Sequence, residues 1–175
     1  QPYSQAERTE FMRRVEETQK RAEEARLQQY ADAADKATTI WNAAEPANTE
    51  HPYLDRKAIK ANGTRLYKDA LVIPMRAGGE LCSLQFIAKD GNKKFLSGGR
   101  VSGCYFSIGN TTGAVALCIA EGFATGATIH QATGYPVAVA FNAGNLESVA
   151  KIMHERFPYL PLIICADDDA TTEGN

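Results

Sequence analysis

Hydrophobic and polar positions change rhythm twice along this chain of 175 residues, dividing it into three stretches. From about Ser4 to Ala44 there is no glycine or proline, and Ala, Glu, Arg and Gln dominate, a composition that favours helix. Phe11, Val15, Ala22, Tyr30, Ala33, Ala37 and Trp41 form an irregular apolar stripe. Glu7, Glu10, Glu16 and Glu17 interleave with Arg13, Arg14, Lys20 and Arg21 at helical spacings. The pattern predicts one long helix with a solvated face, a linker or docking arm over residues 1–46 that ends near Pro46. Residues 64–109 then read as short strands: TRLYK, ALVIPMR, ELCSLQFIA, KKFL and GCYFSI. Turn signals separate them at Lys68-Asp69, Gly78-Gly79, Asp90-Gly91-Asn92 and Gly98-Gly99. From Ala114 the rhythm becomes a strand (115–120), a helix (122–133), a strand (137–141), a helix from near Asn145 to Phe157, and a strand (162–166). That βαβαβ order predicts an α/β fold with a parallel sheet and right-handed crossovers.

Two of the predicted strands run straight into carboxylates. Glu121 follows one, and Asp167, Asp168 and Asp169 follow the other. In parallel α/β sheets the carboxyl ends of the strands open onto the ligand crevice, so the two acidic tips are expected to meet there. Clustered carboxylates repel unless a cation holds them. Hard oxygen donors suit Mg2+ or Mn2+, ions that usually accompany phosphate chemistry. In extended chain Asp168 points away from its neighbours and is given no direct role.

Charge is segregated in a way that the formal net charge of −2 hides. Residues 1–50 carry seven basic and ten acidic side chains, residues 51–109 ten and four, and residues 110–175 two and seven. A basic strand-rich module therefore abuts an acidic one, as a site that grips a polyanion on one wall and a metal on the other requires. Cys82, Cys104, Cys118 and Cys165 form no C-x-x-C pair, and His51, His130 and His154 stand at no metal-ligand spacing. Zinc is not expected, and four reduced structural cysteines fit a cytoplasmic protein. No apolar run approaches the roughly eighteen residues that span a bilayer, and no basic-then-apolar start suggests a secretory signal. Because the sequence starts without methionine and stops six residues after Asp169, it is expected to be a piece of a longer protein.

The ordered set Glu121-Gly122 after one apolar strand and Asp167-x-Asp169, 46 residues later, after another resembles the TOPRIM domain shared by topoisomerases and bacterial-type (DnaG-like) primases. IPMR at 73–76, LQFI at 84–87 and KKFLSGGR at 93–100 are similar to the basic strands ahead of the primase TOPRIM core. HPYLDRKAIK at 51–60 and AFNAGNL at 140–146 look closest to primases of phages, conjugative plasmids and integrated mobile elements. The resemblance implies a primase subdomain over 47–110 and a TOPRIM catalytic subdomain over 111–175, with a further helix and strand beyond Asn175. It also implies that Glu121, Asp167 and Asp169 form the catalytic metal centre, and that Arg76, Lys94 and Arg100 face template or nucleotide phosphates. The activity implied is primer synthesis from nucleoside triphosphates on a single-stranded DNA template, with Mg2+ or Mn2+ and with a replicative helicase, attached or separate, as partner. One departure is Thr125, where many primases carry an acid four residues after the glutamate. The upstream zinc module typical of primases is also not seen.

Tyr67, Phe86, Phe95, Tyr105 and Phe106 interleave with the basic residues, as they would in a core or on a stacking platform for single strands. Gly98-Gly99 fits a close backbone approach to a ligand or a plain turn. Two other functional readings stay open at this point. ICADDDATT also fits the D-x-D-x-T motif of a haloacid-dehalogenase-like phosphatase, in which Asp167 would be the nucleophile and Asp169 the acid/base. A non-catalytic TOPRIM module that binds nucleic acid or a replication partner is the other.

Overall fold

The computed structural model describes residues 4–48 and 50–166. The chain forms four helices and nine strands among those residues, arranged as two sheets and a long helix. The first sheet has the order β1-β2-β3-β4-β5, with every neighbouring pair antiparallel: β1 (Glu45–Pro46), β2 (Arg65–Tyr67), β3 (Ala70–Ala77), β4 (Glu80–Ile87) and β5 (Lys93–Phe95). The second has the order β6-β8-β7-β9: β6 (Phe106–Ile108), β7 (Leu117–Ala120), β8 (Val137–Val139) and β9 (Leu162–Cys165). In it β7 pairs parallel with both β8 and β9, and β6 closes the β8 edge antiparallel. The expected βαβαβ unit is therefore present as β7-α3-β8-α4-β9, with α3 at Phe123–Thr133 and α4 at Ala143–Arg156. Strand β6 comes from the stretch that reads as basic strands, yet it hydrogen-bonds into the second sheet.

The alternation of side chains along β7 and β8 explains the layering. Cys118, Ala120, Val137 and Val139 point to one face, where they join Phe123 and Ala127 of α3 and the apolar residues Leu71, Ile73, Met75 and Ile87 of the first sheet. Leu117, Ile119, Ala138 and Ala140 point to the other, where Val149 and Met153 of α4 cover them. Gly126 lets α3 lie close on the sheet, since a Cβ there would stand 2.9 Å from Val139 Cγ2. Helices on opposite faces follow from the strand order: β7 to β8 steps one way along the sheet and β8 to β9 steps back past β7. Connections that leave neighbouring strands toward opposite faces open a crevice at the carboxyl ends, here those of β7 and β8.

Helix α1 (Gln5–Ala43) is 39 residues long, roughly 58 Å at 1.5 Å per residue. Ser4 caps it through a capping box, its hydroxyl accepting from Glu7 N while Glu7 Oε2 accepts from Ser4 N at 2.8 Å. Only Ala33 and Ala37 are buried. The C-terminal third packs with Val72 and Leu84 on the face of the first sheet turned away from the second sheet. The N-terminal part stands exposed, Phe11 and Met12 included, and is supported by pairs such as Arg13 with Glu10 and Arg14 with Glu10. Two short elements escape the periodicity of the sequence, β1 and α2 (Pro52–Lys57). Six residues give α2 too few turns for a pattern, but its start is marked chemically: Pro52 occupies the first turn and His51 Nδ1 accepts from Tyr53 N at 3.3 Å. The β2–β3 hairpin turns on Lys68 and Asp69, both at positive φ, as a two-residue loop of this twist requires. No helix among the described residues is long and apolar enough to cross a membrane.

Candidate active site

Glu121 sits where β7 ends, half-buried, one residue past Ala120 and one before Gly122, the residue that opens α3. Ala120 is the register partner of Cys165 on β9 and of Val139 on β8. The last described residue, Ala166, therefore follows Cys165 at the same sheet edge as Glu121. Asp167, Asp168 and Asp169 lie outside the described residues. Among the described residues no group of three His, Cys, Asp or Glu side chains comes together to hold a metal. Glu121 supplies one hard oxygen donor at the strand end, and β9 is adjacent and parallel. That donor chemistry fits a divalent cation such as Mg2+.

Helix α4 starts at the same edge. Phe141, two residues past β8, is held at φ 75°, a left-handed conformation that costs a non-glycine residue, and Asn142 follows as the N-cap of α4. Neither Gly122 nor Asn142 caps its helix with a side chain, so backbone N–H groups of both first turns face the crevice end of the sheet.

The first sheet contributes a wall through its edge strand β5. A Cβ on Gly122 would lie 3.8 Å from Lys93 Nζ and 3.9 Å from Thr125 Oγ1, which puts the Lys93 ammonium beside the Glu121–Gly122 turn. Two residues on, the ring of Phe95 packs edge-on against Phe141 with centroids 6.4 Å apart and stays 40% exposed. Lys93 and Phe95 share one face of β5 because side chains alternate. Lys94 points to the opposite face, where Phe86 is its cross-strand partner.

The three basic residues expected at phosphates are thus dispersed. Arg76 lies on β3 beside the hairpin end, its guanidinium donating to Gly79 O at 3.1 Å. Arg100 donates from Nε to Ser102 O at 2.7 Å and lines a cavity of about 310 Å3 against Glu23, Arg26, Leu27 and Tyr30 of α1. Lys93 is the lysine that the fold brings to Glu121. Its signal lies in the KKFL strand itself, where alternation permits only one of two adjacent lysines on the inner face. Tyr105 and Phe106 are core residues at 5% and 8% exposure. The Gly98-Gly99 turn serves packing, since a Cβ on Gly99 would overlap Ser83 Oγ at 2.0 Å.

Beneath the site, Asn145 is a buried tie. Its amide nitrogen donates to Cys104 O and Ala140 O, both at 2.8 Å, and its Oδ1 accepts from Gly103 N at 2.8 Å. One side chain thereby joins the turn before β6 to the end of β8 and the first turn of α4. All four cysteines are free thiols. Burial pushes the Cys104 thiol up to about 12, with neighbouring Cys82 adding to the rise. The Cys118 thiol is raised as well, mainly by burial and secondarily by Cys165. The His130 imidazole contacts Tyr135 O through Nδ1 at 2.7 Å, a packing role.

Residues 116–175 match the Toprim domain family, a span that takes in Glu121 together with the Asp167-x-Asp169 motif. Two DNA primases TraC of Escherichia coli are similar to the chain. One is 36% identical over 140 residues, covering 74% of this chain and 10% of the primase. The other is 34% identical over 160 residues, covering 87% and 14%. The chain thus spans about a tenth to a seventh of the length of those relatives. A chain of the solved assembly of bacteriophage T7 lagging-strand DNA polymerase with the primase domains of two gp4 subunits, an RNA/DNA hybrid and dTTP aligns over 73% of this chain and 70% of that one. The identity is 18% and the TM-score 0.49. The Toprim match over both acidic motifs leaves no support for the phosphatase alternative, which draws on the aspartates alone. With βαβαβ topology, acid-tipped β7 and these primase relatives, the chain belongs to the Toprim family and carries a Toprim domain of the bacterial primase type.

Proposed function

We propose that this chain is part of the catalytic core of a DNA primase, a metal-dependent nucleotidyltransferase that builds primers on single-stranded DNA. The observation that carries the reading is the parallel pairing of β7 with β9. It sets the end of the strand that delivers Glu121 beside the end of the strand that runs on toward Asp167. In this reading Glu121, Asp167 and Asp169 hold one or two Mg2+ or Mn2+ ions. Bound, such ions lower the pKa of an attacking hydroxyl and stabilise a leaving pyrophosphate. Lys93 neutralises triphosphate oxygens next to Glu121, and the unbonded amides that open α3 and α4 add donors at the same edge. The exposed face of Phe95 offers a surface for a base. Arg76, Lys94 and Arg100 contact nucleic acid farther out.

The template, the nucleoside triphosphates, an attached or partner helicase, service to a mobile element and a cytoplasmic setting belong to the same proposal. So does the division into an arm (1–46), a basic subdomain (47–110) and a Toprim subdomain (111–175). The test is primer synthesis on single-stranded DNA by the polypeptide that contains this chain. Labelled, extendable products are expected with Mg2+ or Mn2+, and none from Glu121→Gln or Asp169→Asn. Products that persist undiminished in both variants would overturn the assignment of the centre.

A further inference from the structure

The face of the first sheet that α1 covers is not covered completely. Beyond the packed patch of Ala37, Val72 and Leu84, the sheet stays open in a cavity of about 490 Å3. Its floor is small, Ala70 at the start of β3 and Ala88 just past the end of β4, and its walls are the half-exposed rings of Tyr67 and Phe86. Lys68, in the β2–β3 turn, and Lys94, opposite Phe86 on β5, stand at the rim. Neither lysine forms an ion pair among the described residues. Of the nearby acids, Asp69 pairs with Lys89 at 3.0 Å, while Asp90, which also lines the cavity, accepts from Asn92 N at 2.9 Å and Asn92 Nδ2 at 2.6 Å and keeps its charge.

We propose that this cavity is a second binding site for single-stranded DNA, which seats unpaired bases against Tyr67 and Phe86 while Lys68 and Lys94 take the flanking phosphates. The inference rests on the primase reading for the identity of the ligand. An alanine floor between aromatic walls leaves room for a planar ring. Aromatic faces accept any base, but only a base that has left its duplex. Lys68, whose ammonium stands 5.3 Å from the centroid of the Tyr67 ring, and Lys94 together outweigh the one carboxylate at the cavity, Asp90, and supply the charge complementarity that a phosphodiester chain requires.

The position on the fold is also suited to a strand that comes from the catalytic face. β5 is the edge strand of its sheet, with Lys93 and Phe95 on the Glu121 side and Lys94 on the other. A strand that passes over this rim meets a lysine on each face. The adjacent lysines of KKFL then serve two surfaces rather than one.

The probe is a fluorescein-labelled 20-nucleotide oligothymidylate, titrated against the chain by anisotropy at several salt concentrations. Lys68→Ala/Lys94→Ala is expected to weaken binding about tenfold and to lower the log-affinity versus log-salt slope by roughly 1.5, the contribution of two phosphate contacts to a single strand. Phe86→Leu, which keeps an apolar side chain in the wall, is expected to weaken binding at least fivefold at unchanged slope. A 4-thiothymidine version of the oligonucleotide should crosslink to the peptide that contains Phe86. Unchanged affinity and slope in the lysine variant, or crosslinks confined to the Phe95 peptide, would overturn the site. Mn2+ binding by the same variants separates the two claims. Lost oligonucleotide affinity is expected to leave the Glu121 centre intact, whereas failure of wild type to bind Mn2+ counts against the catalytic reading alone.

Discussion

Ala120 and Cys165 are register partners on parallel neighbouring strands, so Glu121 and Ala166 are the residues at which both chains leave the sheet side by side. The carboxylate of Glu121 is half-buried there and lies on the rim of the domain rather than in its core. Replacing it should change ion binding and leave the fold almost untouched. Glu121→Gln is expected to weaken Mn2+ binding at least tenfold, read by the free-ion electron paramagnetic resonance signal, with a melting temperature within about 2 °C of wild type. Asp167→Asn should reproduce the loss. Full Mn2+ affinity in both variants would show that these carboxylates do not share an ion.

Lys93 and Lys94 are adjacent in sequence and opposite in orientation, which makes them a matched pair of probes. Lys93→Ala should lower the affinity for a nucleoside triphosphate roughly tenfold, because an ammonium next to the Glu121–Gly122 turn is lost. Lys94→Ala should leave triphosphate affinity within about twofold. Displacement of a fluorescent nucleotide measures both, and equal effects would contradict the assignment of the two faces.

Much of this layout is legible in the sequence because the signals are local. Glycine-free helix composition marks α1, the turn signals on either side mark β3 and β4, and apolar runs that end in acid mark β7 and β9. What is not legible depends on distant partners. Phe106–Ile108 reads as one more strand of the basic module, but its hydrogen-bonding partner, Val137–Val139, lies about thirty residues away and belongs to the other sheet. Arg76, Lys94 and Arg100 are recognisable as basic residues on strands and turns. Which face each takes depends on a register that only the assembled sheet supplies. Lys93 shares all of their sequence properties and differs only in phase. The ring of Phe141 stands within the AFNAGNL stretch, but nothing in that motif announces its positive φ or its contact with Phe95.

Asn145, from the same stretch, makes a sharper case for a structural role. Its side chain satisfies three buried backbone groups, two of them on residues more than forty positions away in sequence. Asn145→Ala leaves Gly103 N, Cys104 O and Ala140 O without that partner, and an unsatisfied buried group costs about 1–3 kcal/mol. A total loss of roughly 3 kcal/mol in urea unfolding is expected. Asn145→Asp should be destabilised comparably near neutral pH, because a carboxylate can accept from Gly103 N but cannot donate to either carbonyl. A loss below about 1 kcal/mol in both variants would mean that water replaces the side chain.

Cys104 gives the fold a defined response to alkali. The thiol is fully buried in the core between the sheets, and burial, aided by Cys82, raises its pKa from the ordinary 9.0 to about 12. A folded chain therefore holds this proton at a pH where the unfolded chain releases it. Stability tied to Cys104 is complete below pH 9, falls as pH rises above 9, and stops falling near 12, where the folded thiol also ionises. Lysines and tyrosines titrate in the same range, so the informative quantity is the difference between wild type and Cys104→Ala. In urea unfolding between pH 8 and roughly 10.5 the wild type should lose more stability than the variant, which has no thiol to ionise. In the folded protein at pH 8, iodoacetamide should modify the partly exposed Cys82 and Cys165 well before Cys104. Parallel pH profiles for wild type and variant, together with rapid alkylation of Cys104, would show that water reaches the thiol and that the two sheets do not seal around it.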